Sequence, residues 1–367
     1  MKITAAVTYK AGDISIEEID LAPPKDSEVL VKILAAGVCH TDAGGIHGFI
    51  PWVQFPQVFG HEGVGIVEEA GAGVETLKVG DRVALSFPSC GFCSYCLAGH
   101  PYACDMLNDL FFSGAYKDGT RRLSKDGQDI GSFFAQGSFA THAVVDARNA
   151  VKIEGVSDDE LKYFCSMGCG VQTGAGTVLN RIKPEPATSF VVFGAGGVGM
   201  SALMAALIAG CTQVIAVDVI PSRLELAKEL GATDVINAKE VDDVVAKIKE
   251  ITNGGANYAI ESSGIPDLTL QSVQCLRRLG TSVVVSVTGP AEASIPIEMG
   301  LMNPSVTLAG LCEGGSNPQV FIPILTEFYK AGKLPIDKLV KFYDFKDIGK
   351  AFEDSHKGET IKPILTF

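Results

Sequence analysis

The sequence predicts a two-domain α/β protein, in which a β-rich domain is joined to a doubly wound parallel sheet. Three observations carry this. At 367 residues the chain exceeds the roughly 250–300 residues at which a single core stops growing. Its first part reads as short β segments broken by Gly and Pro. From about residue 190 the pattern changes to apolar strands alternating with helical stretches, which means a parallel sheet covered on both faces.

In chain order, the β-rich part holds candidate strands at residues 2–9, 29–36, 63–70 and 82–86, with turn residues between them. Residues 113–136, rich in Gly, Ser and charge, read as an exposed loop or lobe. The alternating part holds strands at 189–193, 213–218, 258–262 and 282–287, with helices at 198–209, 222–230, 241–251 and 268–276. After about residue 309 the alternation stops. A helical stretch at 321–331 then leads to a last short strand near 361–367, which is expected to return to the first domain. The boundaries expected are 1–165 with 310–367 for the first domain, including a cysteine lobe at 88–106, and 166–309 for the second.

Hydrophobic residues at 47% and charged residues at 20% are ordinary globular proportions, so the whole chain is expected to fold. A formal net charge of −13 repels phosphate backbones and anionic lipid, and no dense Lys/Arg cluster offsets it, which argues against nucleic-acid or membrane partners. No apolar run reaches the ~20 residues that cross a bilayer, and the first residues lack a secretory pattern. A cytoplasmic location is expected. Ten cysteines in such a compartment serve metals or chemistry more often than disulfides.

Four of those cysteines crowd into one loop: Cys90-Gly-Phe-Cys93-Ser-Tyr-Cys96, followed by Cys104, with Gly91, Gly99 and Pro101 supplying turns. Four thiolates can close a tetrahedral shell around Zn²⁺, which then braces the loop and does no chemistry. A pair of disulfides is the competing reading, disfavoured by the reducing compartment. Three further candidates are scattered: Cys39 in Gly37-Val-Cys-His-Thr-Asp42, His61 in Gly60-His-Glu-Gly63, and Cys169 in Met167-Gly-Cys-Gly170. Singly, each is as well read as a buried small hydrophobe or a satisfied polar group. In the second part, Gly194-Ala-Gly196-Gly-Val-Gly199 stands between a strand and a helix, where free N–H groups at the helix start receive a pyrophosphate. Asp218, ending the next strand, is placed to bond ribose hydroxyls and repel a 2′-phosphate, which favours NAD over NADP.

Taken together, the Cys-His-Thr-Asp run, the Gly-His-Glu-Gly run, the four-cysteine lobe and Gly168-Cys-Gly-Val-Gln-Thr-Gly174 stand in the order seen in zinc-dependent medium-chain alcohol dehydrogenases. The chain resembles that family over its whole length, down to Ile361-Lys-Pro-Ile-Leu-Thr-Phe367, and most nearly its bacterial aryl-alcohol branch. The resemblance implies a GroES-like β-rich catalytic domain and a Rossmann cofactor domain. It further implies that Cys39, His61 and Cys169 hold a catalytic zinc, with a fourth position for substrate, while Cys90, Cys93, Cys96 and Cys104 hold a structural one.

Residue by residue, Asp42 matches the carboxylate that orients the ligating His, and Thr41 the hydroxyl that accepts the substrate proton. Glu62 is either a residue that approaches the metal during ligand exchange or a salt-bridge partner. Gly44 stands where many members carry a second relay His, so the proton is expected to leave through water or through His47, which reads equally well as a loop residue. His40 and Lys362 match the two basic positions of the pyrophosphate site, with His in place of the more usual Arg. Gly194, Gly196, Gly197, Val198 and Gly199 form the phosphate turn, Arg223 lies near the adenosine ribose beside Asp218, and Thr173 and Val287 flank the nicotinamide. Val287 follows Ser286 where the family often has Gly.

Trp52, Phe87, Leu110 and Phe139, with Val287, are the candidate lining of an apolar substrate pocket. The activity implied is oxidation of a primary aromatic or allylic alcohol with NAD and two zinc ions per chain. Three alternatives stand beside it: a geraniol-type terpene alcohol dehydrogenase, a polyol or glutathione-adduct dehydrogenase, and a catalytically silent zinc- and NAD-binding regulator. A homodimer or homotetramer joined at sheet edges near residues 306–311 is expected.

Overall fold

A computed structural model describes residues 1–367, which divide into two compact units. The first comprises Met1–Cys169, Asn317–Glu327 and Ile336–Phe367, and the second Gly170–Ser316 with Phe328–Pro335. These seams differ from residues 165 and 309. The turn of helix Lys162–Gly168 packs on the strands of the first unit, and strand Thr307–Gly310 pairs within the sheet of the second.

In the first unit, Lys2–Thr8 pairs antiparallel with Ile14–Leu21, and both join Leu123–Lys125, Gln128–Ser132 and Gln57–Val58 in a closed barrel. Residues 113–136 are therefore not a plain exposed loop. Asp126 and Gly127, both at positive φ, make a two-residue turn between two of the barrel strands, and Leu123, Ile130, Phe133 and Phe134 are buried. Composition concealed the turn because the polar residues of a hairpin and of a loop look alike.

A second sheet has the order Ala150–Lys152, Arg82–Leu85, Gly63–Ala70, Glu28–Gly37, Lys362–Thr366, Val340–Asp344, with His142–Asp146 also paired to Glu28–Gly37. The central strand buries Val29, Val31 and Ile33, and Lys32 alone among its residues is exposed. At its end, Ile364 pairs with Gly37 and Leu365 with Ala36, so the last strand of the chain borders the segment that leads to Cys39.

The second unit is a six-stranded sheet, parallel throughout. Its order is Asp234–Asn237, Gln213–Asp218, Ser189–Phe193, Ala256–Glu261, Leu276–Val284, Thr307–Gly310, or 3-2-1-4-5-6 by chain position. All five residues of Ser189–Phe193 are buried, as a central parallel strand requires. Helix Gly197–Ile208 is apolar around its whole circumference and correspondingly buried. The fifth strand begins at Leu276 and ends at Val284, so Val287 lies beyond the sheet. No helix is long and apolar enough to cross a membrane.

Candidate metal centres and dinucleotide turn

The first cluster is assembled by three local devices. Cys39 is the N-cap of helix His40–Ile46, whose third residue, Asp42, accepts the Cys39 backbone N–H at 3.1 Å. Gly60 adopts φ +92°, and a Cβ there would lie 2.5 Å from the Phe139 nitrogen, so only glycine can deliver His61 at this angle. Buried Asp42 then accepts from Gly60 N at 3.0 Å and from His61 Nδ1 at 2.9 Å, through the same Oδ1. That bond leaves Nε2 as the lone-pair nitrogen, and Nε2 is buried with no hydrogen-bond partner.

The Sγ atoms of Cys39 and Cys169, a ring nitrogen of His61 and a carboxylate oxygen of Glu62 lie within 4.8 Å of one another. Two sulfurs and an orphaned imidazole nitrogen suit zinc, and the residues fit it. Cys39 and His61 shift each other as opposite charges do. A hydrogen bond from Cys169 and the neighbouring His61 hold the Cys39 thiol well below its ordinary range despite burial. Burial alone would lower His61, yet the charge of Asp42 raises it well above the usual value. Asp42 and Glu62 are themselves raised, chiefly by burial.

Lys362 lies beside this cluster. Its Nζ is buried and donates to Glu62 at 2.7 and 3.0 Å and to the Val38 carbonyl at 3.2 Å. Glu62 is thus ion-paired to Lys362, and one of its oxygens also lies among the clustered ligand atoms. Thr41 Oγ1 stands 3.7 Å from Cys39 Sγ. His40 is exposed at the first position of the helix, while His47, also exposed, caps its other end. Six residues of helix separate His47 from Thr41 by about 9 Å along the axis, which does not bring the two together.

Around His61 lies a set of rings that the sequence reading missed. Phe134 stacks on the imidazole with centroids 4.6 Å apart, and Phe133 meets it edge-on at 5.8 Å. Phe111 stacks on Phe134 at 4.0 Å, Phe112 meets the same ring edge-on at 6.0 Å, and exposed Trp52 stacks on Phe112 at 6.0 Å. Phe134 holds φ +55°, a left-handed conformation costly for a bulky residue. The paired Phe111-Phe112 and Phe133-Phe134 were the available signal.

Of the four residues expected to line the pocket, Trp52 and Phe87 join this array, Phe87 through Phe111 at 6.3 Å. Phe139 does not. It is core, fully buried and edge-on to Phe352 at 5.9 Å. Leu110 lines a separate cavity of about 410 Å³ with Tyr116, Lys117, Asp118 and Asp146.

The second cluster brings the Sγ atoms of Cys90, Cys93, Cys96 and Cys104 within 4.8 Å of one another, with no disulfide among them. Backbone N–H groups of Cys90 and Met106 point at Cys104 Sγ, at 3.3 and 3.4 Å, and that of Cys93 at Cys90 Sγ, at 3.3 Å. Such bonds favour thiolate, and Cys93 is lowered to about 6 by backbone donors at Asp105 and Cys96, while burial pushes Cys96 and Cys104 up. The unpredicted partner is Arg148. It lies against Gly91, donates to the carbonyls of Cys90 (3.0 Å) and Ser89 (3.2 Å), and is held by Asp146.

In the second unit, Gly194 takes φ +91°, and a Cβ on Gly199 would come 1.9 Å from the Gly194 carbonyl, so both glycines are dictated by the turn itself. A Cβ on Gly196 would meet nothing within 4 Å. Its lack of a side chain keeps open the space before the helix N-terminus, where Gly197 and Val198 begin the helix, and this fits a pyrophosphate. Asp218 Oδ2 accepts from Ala195 N at 2.7 Å, while Oδ1 accepts from Val219 and Ile220. It therefore braces the glycine turn. Arg223 Nη1 lies 3.9 Å from Asp218, and its Nε is buried without a partner. Thr173 is buried in helix Gly170–Gly176, and Val287 is exposed.

Comparison with known proteins gives matching families and relatives. Residues 25–155 match the alcohol dehydrogenase GroES-like domain, and residues 197–330 match the zinc-binding dehydrogenase family. Geraniol dehydrogenase of Castellaniella defragrans is 42% identical over 367 residues, covering 99% of this chain and 97% of that protein. S-(hydroxymethyl)glutathione dehydrogenase of Synechocystis sp. is 36% identical over 372 residues, covering 100% of each. The crystal structure of benzyl alcohol dehydrogenase from Acinetobacter calcoaceticus superposes with a TM-score of 0.95 at 44% identity, covering 100% of this chain and 99% of that one.

Proposed function

Because this chain belongs to the zinc-dependent medium-chain alcohol dehydrogenase family, we propose that it oxidises a primary aromatic or allylic alcohol to the aldehyde with NAD as acceptor. The alcohol carbon gives up a hydride and its oxygen a proton, so the products are aldehyde, NADH and H⁺. The observation that carries the substrate class is the stack of phenyl rings standing directly on His61. Planar, unsaturated substrates match such a wall, and its apolar faces exclude water from a hydride transfer.

Zinc, when held by Cys39, His61 and Cys169, supplies a positive charge that lowers the pKa of a hydroxyl beside it. NAD supplies the hydride acceptor. The chain's own residues do the rest. Asp42 fixes the His61 tautomer that presents Nε2. Thr41, beside Cys39, takes the substrate proton through its hydroxyl, and since Gly44 offers no second relay group the proton passes on to water. The glycine turn and the N-terminus of Gly197–Ile208 receive the pyrophosphate, and Asp218 selects the 2′-hydroxyl of NAD. Strand Thr307–Gly310 forms one edge of its sheet, which suits pairing with a second copy.

The test is NADH formation, followed spectrophotometrically, with benzyl alcohol, geraniol, ethanol and S-(hydroxymethyl)glutathione in parallel. Higher kcat/KM for the first two is the expected result. Preference for the glutathione adduct overturns the substrate class, and no turnover with any of the four despite bound NAD favours a silent regulator.

A further inference from the structure

The second unit contains a buried carboxylate that nothing above uses. Glu261 is the last residue of strand Ala256–Glu261 and is fully buried. The strand lies between Ser189–Phe193 and Leu276–Val284. Glu261 therefore stands where strand order reverses, the crevice in which sheets of this class receive a dinucleotide.

Its hydrogen-bond donors are all neutral. Oε1 accepts from the backbone N–H groups of Ser263 (2.6 Å) and Gly264 (3.2 Å) and from the Ser263 hydroxyl, while Oε2 accepts from the Ser286 hydroxyl. One carboxylate thus pins two loops, 262–264 and 285–287. The first is tied in turn to the glycine turn, because Ser262 Oγ donates to the carbonyls of Phe193 and Gly194, at 3.0 Å each. The loops also touch each other, since a Cβ on Gly264 would lie 3.1 Å from the Val287 carbonyl. All three segments that border the crevice therefore converge on Glu261.

A buried charge without a cation persists only where its donors are complete. Loss of one donor obliges the loops to rearrange around it. Ser286 is the donor most easily removed: it is the one bond drawn on Oε2, and it belongs to the loop that carries Val287.

We propose that Glu261 is a positioning residue for the dinucleotide, holding loop 285–287 through the Ser286 hydroxyl in the shape that receives the nicotinamide half. This rests on NAD being the cofactor. The serine at 286 then has a purpose in this chain, as the latch of that loop.

The test uses the zinc-loaded full chain and its Ser286→Ala, Ser286→Thr and Glu261→Gln variants. NADH binding is measured by fluorescence titration, KM for NAD against kcat by initial rates, and thermal unfolding without cofactor. Ser286→Ala is expected to weaken NADH binding and raise KM for NAD about tenfold, with kcat changed by less than about twofold and the cofactor-free melting temperature lowered by no more than a few degrees. Ser286→Thr, which keeps the hydroxyl, is expected to restore binding, and Glu261→Gln to weaken it in the same direction. Unchanged NADH affinity in Ser286→Ala overturns the proposal, as does a lowered melting temperature with unaltered affinity. Should Ser286→Ala fail to fold, binding by Ser286→Thr indistinguishable from the parent supports the latch and a tenfold loss there overturns it. Failure of the parent chain itself to bind NADH overturns the cofactor assignment, and this inference with it.

Discussion

Phe134 lies over the imidazole of His61, with centroids 4.6 Å apart and planes inclined at 28°. A ring in that position, covered on its other face by Phe111 and met edge-on by Phe112, fixes the apolar wall beside His61. Phe134→Leu is expected to lower kcat/KM for benzyl alcohol about three- to tenfold while leaving that for ethanol within about twofold. The ratio of the two initial-rate constants is the measurement. Equal losses on both substrates would assign Phe134 to packing alone.

Asp42 holds His61 Nδ1 at 2.9 Å and at the same time holds Gly60, so its charge and its shape have separate effects. Asp42→Asn keeps the shape. It is expected to weaken binding of one zinc about 10–100-fold in a chelator competition, with the other zinc unaffected. Retention of both ions at parental affinity would show that the carboxylate charge does not tune the site.

The metal ligands were legible as residue types, because Cys39, His61 and Cys169 stand in short motifs whose glycines and caps are local. What was not legible depends on distant pairings. The ion pair of Lys362 with Glu62, 300 residues away, leaves no trace near either residue in the sequence. That contact exists because Ile364 pairs with Gly37 across the sheet. Phe133 and Phe134 were hidden in a segment whose Gly and Ser content suggested a loop, although that segment holds two barrel strands joined by a tight hairpin, and the two rings follow directly on the second. Phe139 failed as a pocket residue for the opposite reason: an apolar residue beside a metal motif reads the same whether it faces substrate or, as here, fills the space over Gly60.

Arg148, seated on Gly91 and bonded to the carbonyls of Ser89 and Cys90, places a positive charge beside four sulfurs. Arg148→Met is expected to speed release of the structural zinc to a chromogenic chelator and to lower the melting temperature by roughly 2–4 °C, leaving the catalytic zinc in place. Unchanged release kinetics would mean that the backbone N–H groups suffice to hold the lobe.

Asp146 contributes a pH dependence with a definite sign. Although burial would raise its pKa, hydrogen bonds from Arg148 and Lys117 hold the folded carboxyl below the ordinary value. A depressed folded pKa contributes stability that is present above the unfolded pKa, about 4, and lost as pH falls through the folded one. Asp146→Asn is therefore expected to be less stable than the parent at pH 7, by urea midpoint, with the gap narrowing below about pH 4. A gap independent of pH would attribute the loss to packing.

The proposed chemistry depends on one zinc held at an open site by Cys39, His61 and Cys169. Zinc content per folded chain, measured by elemental analysis on the parent and on Cys169→Ala, addresses it most directly. Two equivalents are expected in the parent and one in the variant, with NADH formation abolished and the lobe's zinc retained. Two equivalents in Cys169→Ala, or full activity with one, would contradict it.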